Sequence, residues 1–446
     1  MRVFAYLAAI VLGLAACSPA PSATDDRTSA PTPRAAALPR VAVVTDDGSG
    51  RHLVGRPIDP VTLADLDGYA SLSFGHHFVE ALSPSGRTLA AILWPSGSSN
   101  AGGVLHLIDA PTWTDRATEV TFGDHVDWLF FAGNDQRLIW VRSNARATTW
   151  RVVGFDVGSK EPADLLELPA GFAPIDAALF GDRLVLVGSI QENSITTGDA
   201  HVVMVDLARR AIAKDEGLAG LRAGQYKVEE GSQAYPYRQI TPGVAWDLAR
   251  GKGYIVDAEQ DLVTVIDVAA ASVAKPRALQ TRRSLVDRLL SLISTPADAK
   301  MVSSTRKQAA LSPDGRVLFV AGSREDVTND LAVTTTPLGL SAVDTVDFGI
   351  IATASGPTDR IVFTGDRQIA VAAAGVLKVL SSADLREVGA SGVQADFFLS
   401  SVARGSEILV TTSRPTRVYR IDMSSGGSLG FRELTPFYGV LIDLGR

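Results

Sequence analysis

The segment QAALSPDGRVLFVA, residues 308–321, shows the local pattern that decides the fold. Two short apolar runs flank Pro313-Asp314-Gly315, in which proline fixes φ and glycine tolerates positive φ, so the segment predicts two strands joined by a tight turn. Two further runs follow, Leu338–Val343 and Phe348–Ala354. Together they predict a unit of four consecutive strands, which we call A, B, C and D.

A recurring aspartate shows that this unit is repeated along the chain. Short apolar runs end in Asp59, Asp109, Asp156, Asp206, Asp267, Asp344 and Asp422, and Ser381 takes the corresponding place in VLKVLS. The eight marks are separated by 50, 47, 50, 61, 77, 37 and 41 residues. A repeat of roughly 40–50 residues with several strands each is typical of a β-propeller. The aspartates themselves are interpreted as turn formers whose carboxylates accept from nearby backbone N–H groups.

The two ends of the repeated region are incomplete units that complement each other. Val41–Thr45, HLVGRPID (52–59) and VTLADL (61–66) predict strands B, C and D without an A, and Tyr438–Leu444 predicts an A without a B. Joining them closes the ring and removes exposed edges. The sequence therefore predicts an all-β, single propeller domain with eight blades, and seven blades if one weaker unit is an insertion.

Three segments carry a resemblance to known propellers. ALSPSGR (81–87), ALSPDGR (310–316) and VTVIDVA (263–269) resemble the YVTN-type surface-layer and TolB-like, WD-repeat-like propellers. Those families include scaffolds, binding modules and a few enzymes, so the resemblance implies a fold and little chemistry.

The N-terminus predicts export and a lipid anchor. Residues 1–16 carry one basic residue and a short apolar run, which is typical of a signal peptide. Leu14-Ala15-Ala16-Cys17 resembles the bacterial lipobox, and Cys17 is the only cysteine of the chain. Residues 17–39 are rich in Pro, Ala, Ser and Thr and predict a flexible tether, followed by the propeller at 40–446. The expected location is the bacterial cell envelope, facing the periplasm or the exterior.

Composition narrows the function classes. The chain has a net charge of −7 and scattered basic residues, which argues against a nucleic-acid partner. Its sequence contains no G-x-S-x-G motif, P-loop or G-x-G-x-x-G after a strand. We therefore expect no catalysis and no cofactor.

Long connections indicate which face of the propeller is expected to bind a partner. The segments 190–200, 220–239, 280–305 and 323–337 all join B to C or D to A, and in a four-stranded blade both kinds of connection emerge on the same face. Tyr226, Tyr235 and Tyr237 lie in one of them and suit recognition. Another contains Leu285, Leu289 and Leu292 at helical spacing, which predicts either a helix that caps the channel or a docking helix for a partner.

Histidines before strand A offer the competing interpretation. His76 and His77 precede one unit, and Asp124 and His125 precede the next. Imidazole and carboxylate groups suit a divalent metal, so these residues are the candidate ligands of a metal-dependent propeller hydrolase or lactonase. The structural alternative is the Gly-His of WD-repeat-like propellers. The sequence favours a non-catalytic binding or scaffold module for an envelope protein or ligand, and a purely structural spacer is a third possibility.

Overall fold

The fold is described by a computed structural model. It covers residues 38–49, 52–94, 103–122, 125–143, 149–159, 161–228, 237–279, 302–327, 333–354, 356–358, 360–435 and 438–445. Within these ranges all regular secondary structure is β, with 35 strands and no helix. The described ranges contain no helix that is long and apolar enough to cross a membrane.

The described strands form eight sheets, which we number 1 to 8 around the molecule. Sheet 1 contains β35 (Gly439–Asp443), β1 (Val41–Asp46), β2 (Leu53–Ile58) and β3 (Leu72–Gly75). Sheet 2 contains β4 (His77–Leu82), β5 (Thr88–Trp94), β6 (Gly103–Asp109) and β7 (Thr114–Phe122). Sheet 3 contains β8 (His125–Phe131), β9 (Arg137–Ser143), β10 (Trp150–Asp156) and β11 (Ala163–Glu167). Sheet 4 contains β12 (Phe172–Phe180), β13 (Arg183–Glu192), β14 (Ile195–Asp206) and β15 (Ala211–Leu218).

The remaining four sheets follow the same meander, with one addition. Sheet 5 contains β18 (Gly243–Asp247), β19 (Lys252–Val256), β20 (Leu262–Asp267) and β21 (Ser272–Val273), and β22 (Arg277–Ala278) pairs with β20. Sheet 6 contains β16 (Gly224–Lys227), β17 (Tyr237–Thr241), β23 (Val302–Leu311), β24 (Val317–Val327), β25 (Val333–Asp344) and β26 (Ile350–Ala354). Sheet 7 contains β27 (Arg360–Thr364), β28 (Gln368–Ala373), β29 (Val376–Ser381) and β30 (Glu387–Gln394). Sheet 8 contains β31 (Phe397–Arg404), β32 (Glu407–Ser413), β33 (Arg417–Asp422) and β34 (Ser428–Glu433).

Apolar clusters join the sheets into a ring. Both faces of the B and C strands are buried, and each of eight clusters in the described residues contains side chains of two neighbouring sheets. One of them joins Val43 of sheet 1 to Leu409 of sheet 8, so the series returns to its start. The chain is therefore a β-propeller, as predicted. The count of eight blades stays a prediction, and this arrangement supports it.

Hydrogen bonds between the first strands of successive sheets line up these strands at the inside of the ring. The Trp246 indole N–H donates to Asp176 at 3.1 Å, between sheets 5 and 4. The Gln308 amide bonds both the N–H and the carbonyl of Ile361, between sheets 6 and 7, at 2.8 and 3.0 Å. The Ser401 hydroxyl donates to the Val362 carbonyl at 2.7 Å, between sheets 8 and 7.

The predicted closure is confirmed by strand pairing. β35 pairs antiparallel with β1, with Val41 opposite Asp443 and Thr45 opposite Gly439. The Thr45 hydroxyl donates to the Tyr438 carbonyl at 3.0 Å, and the Leu441 N–H donates to Ser400 of sheet 8 at 2.8 Å. The last strand of the chain is therefore the first strand of sheet 1.

Two kinds of predicted boundary are wrong: the position of the D strand in sheet 1, and the extent of two B–C connections. The D strand of sheet 1 is Leu72–Gly75, whereas residues 61–66 form a turn and an isolated bridge between Ile58 and Asp65. The segments 190–200 and 323–337 are mostly strand extensions, because β13 pairs with β14 out to Glu192 and Ile195, and β24 pairs with β25 out to Val327 and Val333. Their polar residues carry no apolar periodicity, so the sequence pattern alone indicates loops.

The recurring aspartates close the turns between strands C and D. Their carboxylates accept N–H groups two or three residues on at 2.7–3.0 Å, in the pairs Asp59–Val61, Asp109–Thr112, Asp206–Arg209, Asp267–Ala270, Asp344–Val346 and Asp422–Ser424. The Ser381 hydroxyl accepts from Ala383 at 3.3 Å. These bonds confirm the structural interpretation for six of the seven aspartates. The hydrogen bond from the Thr62 N–H lowers the pKa of Asp59, and that from the Ser425 hydroxyl lowers the pKa of Asp422.

Each of these turns has a second feature that the sequence does not reveal. The fourth residue after the mark has a left-handed φ of 46–72°, at Leu63, Trp113, Arg210, Ala271, Phe348, Leu385 and Gly426. Only one of the seven is glycine, although a left-handed L-residue costs roughly 1–2 kcal/mol. Leu63, Trp113, Phe348 and Leu385 are buried in the cluster shared with the preceding sheet. The strained turn thus inserts a side chain that seals the joint between two sheets.

We expect these inserted side chains to matter more than the backbone strain. Leu385→Ala should lower the free energy of unfolding by about 2–5 kcal/mol, because it leaves a cavity between sheets 6 and 7. Arg210→Gly, at an exposed copy of the same position, should be neutral or stabilise by up to about 1 kcal/mol, because it relieves strain without removing a buried group. Denaturant unfolding of both variants measures this, and equal effects would contradict the sealing role.

Candidate functional site

The strand directions divide the connections between two faces of the ring. A–B and C–D turns leave one face, which we call the turn face, and B–C and D–A connections leave the other, which we call the connection face. The turns at Pro84-Ser85-Gly86 and Pro313-Asp314-Gly315 belong to the turn face. So does Arg40, whose carbonyl accepts from the Leu444 N–H at 3.0 Å, so the chain enters the ring on that face.

Arginines of one sheet bind the turn carbonyls of the next on the turn face. Arg183 of sheet 4 donates to the Ala269 carbonyl of sheet 5 at 2.9 Å. Arg404 of sheet 8 donates to the Arg40 carbonyl of sheet 1, and to the Asp443 carboxylate at 2.9 Å. These groups are engaged in holding the ring together, which leaves the connection face as the better candidate for a functional surface.

A hairpin crosses the connection face and joins three sheets. β16 and β17, residues 224–241 with 229–236 outside the described ranges, form an antiparallel hairpin that we call the strap. The strap arises between sheets 4 and 5, yet β17 pairs in parallel with β23 of sheet 6, with Ile240 opposite Thr305. It therefore passes over sheet 5, whose β18 and β19 have only five residues each.

Ion pairs hold the strap to sheet 5. Glu259, in the B–C turn of that sheet, lies 2.9 Å from Arg238 and 3.6 Å from Arg222. Both guanidinium groups also lie over the ring of Tyr226, that of Arg222 at 5.6 Å and that of Arg238 at 5.9 Å from its centroid. The alternation of positive charge, aromatic ring and carboxylate fixes the strap in one orientation.

The strap also needs close contact with sheet 4. The Tyr226 hydroxyl donates to the Gly198 carbonyl at 2.9 Å, and burial raises the pKa of this hydroxyl. Gly224 has φ of 109°, and a Cβ there would lie 2.7 Å from the Ser189 hydroxyl oxygen. A side chain at 224 would push the strap off sheet 4.

The predicted binding residues therefore fall into different places. Tyr226 is half-buried inside the strap, whereas Tyr237 is 39% exposed and accessible to a partner. Tyr235, Leu285, Leu289 and Leu292 lie outside the described residues, as does Cys17. The binding role of this connection stays a prediction, and sequence reasoning could not foresee that Tyr226 serves the strap itself.

The second feature of the connection face is a long hairpin. β24 has 11 residues, against 7 in the corresponding strand β5, so the hairpin extends roughly 13 Å further at 3.3 Å per residue. Arg324 pairs with Asp326 at 3.0 Å and Arg306 lies 3.9 Å from Glu325, which balances the charges along it. Val333 at its end is 60% exposed.

The candidate metal ligands are only partly described. His76 is exposed, and the ring of His77 lies 5.2 Å from that of Trp94. Asp124 and the side chain of His125 lie outside the described residues. In the part of the chain that the structure describes, no group of three His, Cys, Asp or Glu side chains could hold a metal ion. The metal interpretation stays a prediction.

Two acids in first strands have raised pKa values, and one of them, Glu80, also follows the candidate metal ligand His77 in the sequence. Burial raises the pKa of Glu80, in β4, to about 7, and that of Asp176, in β12, to about 6. Glu80 lies close enough to Tyr438 for its charge to add to the burial that raises the pKa of the Tyr438 hydroxyl. Glu80 therefore lies near the closure of the ring, in a place that disfavours its charge.

Glu80 predicts a pH dependence of stability. Its ordinary pKa is 4.5, so between pH 4.5 and about 7 the folded state holds more protons than the unfolded state, and stability falls as pH rises through this window. Glu80→Gln should stabilise the protein by about 1–2 kcal/mol at pH 8 and have little effect at pH 4. Thermal unfolding at both pH values measures it, with Glu192→Gln as an exposed control. A destabilised Glu80→Gln protein at pH 8 would contradict the burial argument.

Comparison with known proteins supports the fold alone. No family model matches this chain, and no curated protein matches it. Two solved structures of AztD from Citrobacter koseri, one of them the apo form, have TM-scores of 0.55 and 12 and 13% identity, and each alignment covers 91% of this chain and 98% of that chain. The dihydro-heme d1 dehydrogenase NirN has a TM-score of 0.57 at 10% identity, over 93% of this chain and 77% of that one. The chain is similar to these β-propellers in fold.

Proposed function

We propose that this protein is a lipid-anchored, extracytoplasmic β-propeller that binds an envelope protein or ligand through its connection face, without catalysis. The strap carries the proposal: a hairpin fixed by Glu259, Arg238 and Arg222 builds a shaped surface across three sheets. Rigid scaffolds that present elaborated connections are where binding usually occurs. Propellers serve many unrelated functions, so the proposal rests on the strap and not on the fold.

The anchor completes the proposal. The lipobox-like segment ends at Cys17, and residues 18–37 separate it from the first described residue, Leu38. A flexible segment of that length spans roughly 25 Å on average. The first described residues join the ring on the turn face, opposite the proposed binding surface.

Cys17→Ser should release the protein from the membrane fraction, because acyl chains hold a protein at a bilayer and a hydroxyl gives them no attachment point. Fractionation and immunoblotting measure this, with wild-type protein and a salt wash without detergent as controls. A Cys17→Ser protein that stays in the washed membranes would contradict the anchor.

The binding face is tested by cross-linking in native membranes followed by identification of the captured molecules. Tyr237→Ala and replacement of residues 282–294 by a short Gly/Ser linker should each reduce capture at least fivefold, because they alter the connection face. Arg316→Ala, at an exposed side chain of the turn face, is the matched control and should leave capture unchanged. Loss of capture only in Arg316→Ala would contradict the proposal.

The catalytic alternative gives a different result in the same preparation. Stoichiometric bound metal that disappears in His77→Ala and His125→Ala would replace the binding function by a metal-dependent one. Elemental analysis of the purified protein measures it directly.

A further inference from the structure

The end of the long hairpin has an open strand edge. β25 pairs with β24 along its whole length, from Val333 opposite Val327 to Asp344 opposite Val317. Its other neighbour, β26, pairs only with Leu340–Val343. In the described part of the chain, residues 333–337 therefore have β24 as their only strand partner.

This edge has the composition of a strand that accepts another. Its sequence is VTTTP, with no charge and four β-branched residues, and Val333 and all three threonines are exposed. Natural edge strands are usually guarded by charged side chains or covered by other elements. Apart from Pro337, the described residues of this edge include no such guard, and the nearest charges on β24 are engaged, Arg324 with Asp326 and Glu325 with Arg306 of β23.

Pro337 shows which backbone groups point outward. It lies opposite Ser323 and has no N–H, and proline in a sheet is tolerated where the N–H side faces solvent. The pairing is regular from Pro337 down to Val333, so the period of two places the N–H groups of Thr335 and Val333 on the same outward side. The edge thus offers the N–H groups of Val333 and Thr335 as donors and the carbonyls of the same two residues as acceptors.

We propose that residues 333–337 bind an uncharged, extended peptide segment of the partner by strand addition. This inference rests on the proposed function, since it specifies the chemistry of what the connection face binds. Main-chain hydrogen bonds give such complexes their affinity. Two copies of this chain meeting only along five residues would bury less than the roughly 1,200 Å² that stable complexes need, so the geometry favours a short peptide over a second copy.

The probe is a blocked hexapeptide of alternating threonine and valine with a fluorescent label, added to the full-length protein in detergent micelles. Fluorescence anisotropy should show saturable binding. Thr335→Pro should weaken it at least tenfold, because it removes an outward N–H while leaving the pairing to β24. Thr335→Val, which keeps the N–H and the shape, should bind within about twofold of wild type. A peptide methylated on alternate amide nitrogens should not bind.

The opposite results overturn the proposal. These are no saturable binding to the wild type, equal binding by Thr335→Pro, or equal binding of the methylated peptide, and the last remains decisive if Thr335→Pro fails to fold. Self-association in sedimentation that Thr335→Pro abolishes would replace the peptide by a second copy. Failure at this edge, together with capture of an envelope partner that depends on Tyr237, would leave the proposed function in place.

Discussion

The burial of apolar side chains between neighbouring sheets is the interaction on which the whole molecule depends. A single four-stranded sheet of this chain has two apolar faces and cannot cover either of them alone. Each face is covered only by the next sheet, so stability requires the series to return to its start. The pairing of β35 with β1 provides that return, since it places Val440 and Ile442 against sheet 2 and Leu441 against sheet 8. With Cys17 as its only cysteine, the chain makes this ring without internal disulfides.

Closure also explains where polar groups are tolerated. The Gln308 amide, the Ser401 hydroxyl and the Asp176 carboxylate are half-buried, and each bonds a group of the adjoining sheet, so these bonds fix how neighbouring sheets align. Glu80 is different, because burial outweighs a hydrogen bond from its own backbone and raises its pKa to about 7. A carboxyl with a pKa raised in this way is a candidate for function, although no group of three His, Cys, Asp or Glu side chains in the described residues could hold a metal ion.

The sequence predicts what is local and repeated, and misses what depends on distant partners. Pro313-Asp314-Gly315 and the aspartates at the ends of C strands form hydrogen bonds to groups only a few residues away, so the sequence pattern predicts both. Residues 61–66 alternate like a strand, yet β2 takes Leu72–Gly75 as its partner instead. The segment Ser323–Val327 is polar, and it is extended because it pairs with Val302–Arg306 on one side and with residues 333–337 on the other. The strap could not be foreseen at all, because its partner β23 begins at Val302, far along the chain from Ile240, and no local pattern links the two.

The two elaborations of the connection face differ in a way that bears on function. The strap is held in place by its own contacts: Arg238 pairs with Glu259, the Tyr226 hydroxyl donates to the Gly198 carbonyl, and Gly224 lies against sheet 4. The long hairpin is open, since one edge of β25 has no strand beside residues 333–337 in the described part of the chain. A rigid strap in the same sheet as an open edge is an arrangement in which a partner adds contacts without first ordering the protein, which lowers the entropic cost of binding. In the proposed binding mode, the strap is the support and the hairpin edge is the contact.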